Sequence, residues 1–233
     1  MAEQLAPGIH LLELGIPAPF GANVFLVEDG GLTLVDVGLP FTGRRLRREI
    51  VATGHSLAAI DRVLITHYDL DHIGGLPHLH PFLDAPVYLG ETDLQLLTGT
   101  WNPPVLHHKG LFHRGARRVF RLPESIDLRP VHDGDRIGGF TAYHTPGHNP
   151  GHVVYVHEGL DVAFLGDLVW EEGGELTTPE WYDSYDMAEM RASVRQFADA
   201  APAFEFACMA HGQPITAGGD SALHSLAAKL PPV

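Results

Sequence analysis

Residues 65 to 75 read ITHYDLDHIGG, and no other stretch of this 233-residue chain restricts its possible folds so strongly. His67, Asp69, Asp71 and His72 fall within six positions and are followed by Gly74 and Gly75. The preceding RVLIT is an apolar, β-branched run, so His67 is expected where a buried strand gives way to a turn. Residues that leave a strand end in this way can wrap around a cation instead of lying flat. Neutral imidazoles and carboxylates are the usual donors for a divalent metal.

Three further donors stand at the ends of strand-like runs. His148 lies in HTPGHNPGH after GFTAYH, Asp167 follows VAFLG, and His211 follows ACMA and precedes Gly212. Small neighbours let backbone and ligand approach closely. With His67, Asp69, Asp71 and His72 these make seven donors, too many for one tetrahedral ion, so two ions are the economical solution. His152, four residues after His148, is expected to brace the loop or a ligand from behind. His144 reads as a strand residue, and His107, His108 and His113 as part of a solvated loop.

Composition agrees with imidazole rather than thiol chemistry. There are sixteen histidines and one cysteine, Cys208, set in the apolar FEFACMAHG, where a buried structural thiol is expected and a disulfide framework is ruled out. A formal net charge of -14 argues against broad attraction to nucleic acid or anionic membrane. The basic run RRLRRE at 44–49 reads as the wet face of a helix. MAEQLAPGIHLLEL lacks a basic segment followed by a long apolar one, and no run approaches a bilayer span, so the expected location is the cytoplasm.

Pattern reading predicts alternating strands and helices in one α/β domain over residues 1–233. Segments 23–29 and 32–38 form a hairpin at Gly30-Gly31, a helix follows at 43–53, and 62–67 and 86–90 are strands, with a helix starting at ETDLQLL. WNPPVLHHKGLFHRG reads as a Pro- and His-rich loop. RVFRL, DRIGGFTAYHT, HVVYVHE and DVAFLGD read as strands, 187–199 as a helix, FEFACMA as a last strand and 221–229 as a closing helix. Trp101, Trp170, Trp181 and Tyr185 are candidates to line an apolar pocket or to pack the core.

The ordered set HxxxDH-GG, TPGH, an apolar strand ending in GD, and a late His-Gly resembles the metallo-β-lactamase fold superfamily, from the first hairpin to His211. The resemblance implies a four-layer αββα sandwich with metals at one edge. It implies one ion on His67, Asp69 and His148, a second on Asp71, His72 and His211, and Asp167 bridging both. The chain departs from the commoner HxHxDH pattern at Asp69, where flavodiiron proteins also carry an acidic residue. An oxygen donor there favours manganese or iron, with zinc still compatible; otherwise Asp69 merely stabilises the turn.

Such a pair of divalent ions implies a hydrolase that uses activated water on a small ester, lactone, thioester or phosphodiester, with Asp71 and Tyr68 as candidate proton carriers. The expected partner is a small-molecule substrate, with neither nucleic acid nor membrane involved. Only 22 residues follow His211, fewer than the glutathione-binding helical domain of hydroxyacylglutathione hydrolases needs. The alternatives are a di-iron redox protein related to flavodiiron proteins, and a non-catalytic metal or ligand sensor on the same fold.

Overall fold

The computed structural model describes residues 2–16 and 21–232. Within them, β1 (Glu3–Ala6), β2 (Ile9–Leu12), β3 (Val24–Glu28), β4 (Leu32–Val35), β5 (Arg62–Ile65), β6 (Val87–Gly90) and β7 (Leu128–Val131) form a seven-stranded sheet in chain order. The first four strands pair antiparallel, and β4 to β7 run parallel. The second sheet contains β8 (Arg136–Ile137), β9 (Phe140–His144), β10 (Val153–His157) and β11 (Val162–Gly166). After the small hairpin of β12 (Trp170–Glu172) and β13 (Glu175–Thr177), β14 (Phe206–Met209) returns to pair parallel with β11.

The layers follow from strand periodicity. Successive residues of a strand point to opposite faces, so a strand that is apolar throughout can be buried on both. In β3, Phe25 and Val27 enter the cluster between the sheets, while Val24 and Leu26 face outward with Leu46, Ile50, Leu76 and Leu79. Those partners come from α1 (Gly43–Ala52) and α3 (Leu76–Leu79), with α2 (Leu70–Ile73) just before. In β11, Val162 and Phe164 face the first sheet, and Ala163 and Leu165 face Val194, Phe197, Leu223 and Leu226. These belong to α6 (Met187–Ala200) and α7 (Gly219–Lys229). Helices, two sheets and helices give the expected four-layer αββα sandwich.

The remaining helices are α4 (Glu91–Thr98) and α5 (His108–Val119). Arg44, Arg47 and Arg48 lie on the exposed face of α1, as expected, and Cys208 is free and buried between the sheets. Among the described residues, no helix is long and apolar enough to cross a membrane.

Two expectations are corrected. The segment taken as a loop from 100 to 115 folds into α5 from His108, and RVFRL is not a strand, since Arg118 and Val119 finish that helix. The buried face of α5 is Lys109, Gly110, His113 and Ala116, which has helical spacing but no apolar stripe to reveal it. Strand β7 also escaped the pattern, because only Val131 of its LRPV is buried and Pro130 is tolerated only at a sheet edge.

Candidate metal centre

Four strand ends converge here. Asp36 follows β4, His67 follows β5, Asp167 follows β11 and His211 follows β14. The connection from β9 to β10 contributes His148 and His152. Parallel pairing sets neighbouring carboxyl-terminal ends side by side, as in β4 with β5 and β11 with β14. The short α2 then turns Asp71 and His72 back toward the same point.

One carboxylate oxygen sits at the middle. Oδ2 of Asp167 lies 3.3 Å from Nε2 of His148, 3.5 Å from His211, 3.7 Å from His72 and 3.8 Å from His67. On one side, Oδ2 of Asp69 is 3.4 Å from His67 and 3.2 Å from His148. On the other, Oδ2 of Asp71 is 3.4 Å from His211 and 3.7 Å from His72. The sequence-predicted donors therefore form two sets that share Asp167.

The donor spacing fits cations. Tetrahedral donors about 2.1 Å from an ion stand about 3.4 Å from one another. Nε2 of His67 and of His72 is buried and has no hydrogen-bond partner among the described residues, although carboxylate oxygens surround it at 3.4 to 3.8 Å. A buried polar atom left without a partner is costly, and a divalent ion would satisfy each of these nitrogens.

Supporting contacts hold the rings. Asp36 accepts from the Thr66 N–H and hydroxyl at 2.9 Å each, and its Oδ2 lies 2.9 Å from Nδ1 of His72. Asp36 has φ 58, a backbone region that Asp tolerates better than most residues. His152 accepts from the Asp167 N–H at 3.0 Å, and its Nδ1 lies 2.8 Å from the Thr145 hydroxyl. It thus braces Asp167 through the backbone.

Charge follows from packing. Burial pulls His72 down, but Asp36, Asp71 and Asp167 outweigh it and push this imidazole up to about 9. Burial likewise opposes the Asp167 and Asp71 carboxylates at His211, which still rises to about 11. Burial, reinforced by His72, holds His67 well below the usual imidazole range. Burial would raise Asp167, but the imidazoles of His211, His148 and His72 keep it well below the carboxylate range.

Asp69 does not serve the turn. It occupies the N-cap of α2, yet its carboxylate makes no capping hydrogen bond among the described residues. Its Oδ1 accepts from His113 Nε2 at 2.6 Å and from Asn149 Nδ2 at 3.1 Å. Its Oδ2 lies 2.8 Å from the Lys109 ammonium, in addition to His67 and His148. Burial would raise this carboxyl, but Lys109, His67 and His113 hold it well below its ordinary range.

Sequence reading missed several of these groups. Lys109 and His113 lie one turn apart on α5, where the spacing could have linked them. Asp36 could have been found as Asp167 was, as an acid directly after an apolar strand. Asp93, which accepts from the Tyr68 and Gly151 N–H groups at 2.7 Å each, left no such signal.

The Tyr68 side chain is 1% exposed and packs in the outer core of the first sheet, and burial pushes its hydroxyl up to about 12. That hydroxyl has no hydrogen-bond partner among the described residues, and the ring lies 5.3 Å from that of His113. The four aromatic candidates separate: Trp101 packs against the core, and Trp170 stands 5.0 Å from the His211 ring. Trp181 is exposed, while the Tyr185 hydroxyl lies 2.8 Å from His113 Nδ1.

Comparison with known proteins agrees with this geometry. The family model of the metallo-beta-lactamase superfamily matches residues 17–208. The "Probable metallo-hydrolase YqjP" of Bacillus subtilis (strain 168) is 26% identical over 245 residues, covering 88% of this chain and 72% of that protein. The metallo-beta-lactamase family protein TTHA1429 from Thermus thermophilus shares the fold, with TM-score 0.68 at 23% identity over 97% of this chain and 80% of that one. TTHA1623 in a di-iron-bound form gives TM-score 0.64 at 30% identity, covering 88% of this chain and 94% of its own. With most of its length matched by the family model and its donors gathered at one sheet edge, the chain belongs to the metallo-β-lactamase superfamily.

Proposed function

We propose that this protein is a binuclear metal-dependent hydrolase acting on a small ester, lactone, thioester or phosphodiester. The observation that carries the reading is the single Asp167 oxygen within 3.3 to 3.8 Å of four imidazole nitrogens, between two outer carboxylates. His67, Asp69 and His148 would hold one ion, and Asp71, His72 and His211 the other, with Asp167 common to both. The hard oxygen of Asp69 and the di-iron form of TTHA1623 support iron or manganese.

Two divalent ions, when bound, supply Lewis acidity that activates water near neutral pH and polarises the scissile group. The protein supplies the rest. His152 fixes Asp167 through its backbone N–H, and Asp36 fixes the ring of His72. Asp71 is the most solvent-accessible carboxylate of the seven donors, with 22% of its side chain exposed, so it can exchange a proton with water or a leaving group at the mouth.

The test is hydrolysis of generic esters and phosphodiesters by manganese- or iron-loaded protein, beside Asp167→Ala. The expected result is metal-dependent turnover that the substitution abolishes in a protein shown to be folded. Equal turnover by folded Asp167→Ala would refute the shared-carboxylate mechanism.

A further inference from the structure

We propose that the Lys109 ammonium is the resident counter-cation of Asp69 in the metal-free protein, and that an ion entering the His67, Asp69 and His148 set must displace it. The two sets therefore differ in what an ion must displace: an ammonium in the first, and no lysine or arginine among the described residues in the second. This rests on the binuclear reading above.

Lys109 is only 4% exposed. Its Nζ lies 2.8 Å from Asp69 Oδ2, 2.8 Å from His148 Nε2 and 2.7 Å from the Asp183 carbonyl oxygen. Two of these three partners are donors of the first set. An ammonium has donors only, so the His148 tautomer that accepts from it at Nε2 gives up the one lone pair a metal would need, and the tautomer that donates from Nε2 to Asp69 Oδ2 at 3.2 Å has none to give. The choice at that nitrogen is exclusive: it can accept from Lys109 or coordinate an ion.

Asp69 Oδ2 has lone pairs to spare, but its charge is already matched. A buried carboxylate without a counter-charge is costly, and Lys109 removes that cost before any metal arrives. His113, one turn along α5, donates to the other oxygen. The second set is different: the ion pairs of Asp71, His72 and His211 involve only one another, Asp36 and Asp167, with no lysine or arginine among the described residues. An ion entering it displaces no lysine or arginine among the described residues, though protons must leave its imidazoles.

The experiment is calorimetric titration of chelator-stripped protein with Zn2+ alone, for wild type, Lys109→Met and Lys109→Arg, with thermal unfolding as the check on folding. Expected is a wild-type isotherm with two steps, one of them sensitive to residue 109. Lys109→Met should tighten one step at least about tenfold and leave the other in place, while Lys109→Arg should leave both steps as in wild type. One equivalent in wild type rising to two in Lys109→Met supports the same displacement in stronger form. Two equivalents with the same affinities in wild type and Lys109→Met would overturn the displacement but leave the binuclear reading intact. A single equivalent in all three proteins would overturn both.

Discussion

Nδ1 of His72 and Oδ2 of Asp36 stand 2.9 Å apart, and this contact decides which ring nitrogen His72 turns toward the cluster. With Nδ1 engaged by the carboxylate, Nε2 is the donor left for a metal. Partners of this kind orient a ligand and raise its basicity, and their loss typically costs about 10- to 100-fold in metal affinity. Asp36→Asn is the informative substitution, since Asn also tolerates the positive φ at this position. Competition against a chromophoric chelator should show metal affinity lower by about 10- to 100-fold. Unchanged affinity would mean that His72 needs no help from Asp36.

Asp69→His would restore the commoner HxHxDH spacing, yet it should weaken the metal-free protein. Lys109, His113 and Asn149 all converge on the Asp69 carboxylate, and an imidazole cannot answer a buried ammonium. Removing one partner of a buried ion pair costs about 3–5 kcal/mol. Urea unfolding of chelator-stripped protein should register a loss of that order. A stability equal to wild type would show that Lys109 finds another partner or reaches water.

The metal-free protein should lose stability as pH rises above neutral. His72 at about 9 and His211 at about 11 both lie above the ordinary imidazole value of about 6.5, so the folded state holds protons that the unfolded chain has released. Their contribution is fully present below about 6.5 and is lost as pH climbs through about 9 for His72 and toward about 11 for His211. Metal affinity must move the other way, because an ion can bind these nitrogens only after the protons leave. Melting temperatures of stripped protein between pH 7.5 and 9 should fall while zinc affinity rises. A stripped protein that grows more stable across that window would contradict the assignment.

What could be read from the sequence, and what could not, has a physical division. His67, Asp167 and His211 could be picked out because each closely follows an apolar run, where periodicity marks the strand and a polar residue breaks it, whereas Asp69, Asp71, His72 and His148 were read from the motifs around them. The four layers came from the family resemblance alone; periodicity gave only an α/β domain with strands such as VVYV at β10 apolar on both faces. Helix α5 was hidden because its buried face consists of Lys109, Gly110, His113 and Ala116, residues that are inside only because Asp69 and His148 are there to meet them. Polarity that is satisfied through tertiary contacts leaves no local pattern. Tyr68 follows the end of β5, and its buried side chain joins the outer cluster of the first sheet with its ring 5.3 Å from that of His113.

The parallel pairing of β11 with β14 carries a consequence for biosynthesis. His211 reaches the cluster only when β14 has been made and has docked beside β11, long after the ribosome has released the segment containing His67. His67, Asp69 and His148 all precede β14 in the chain, whereas His211 follows it. An ion binding at the second set to the native form alone would draw the population toward it by mass action. Strand order thus sets when the candidate centre can close: a chain stalled before β14 lacks the His211 imidazole beside Asp167.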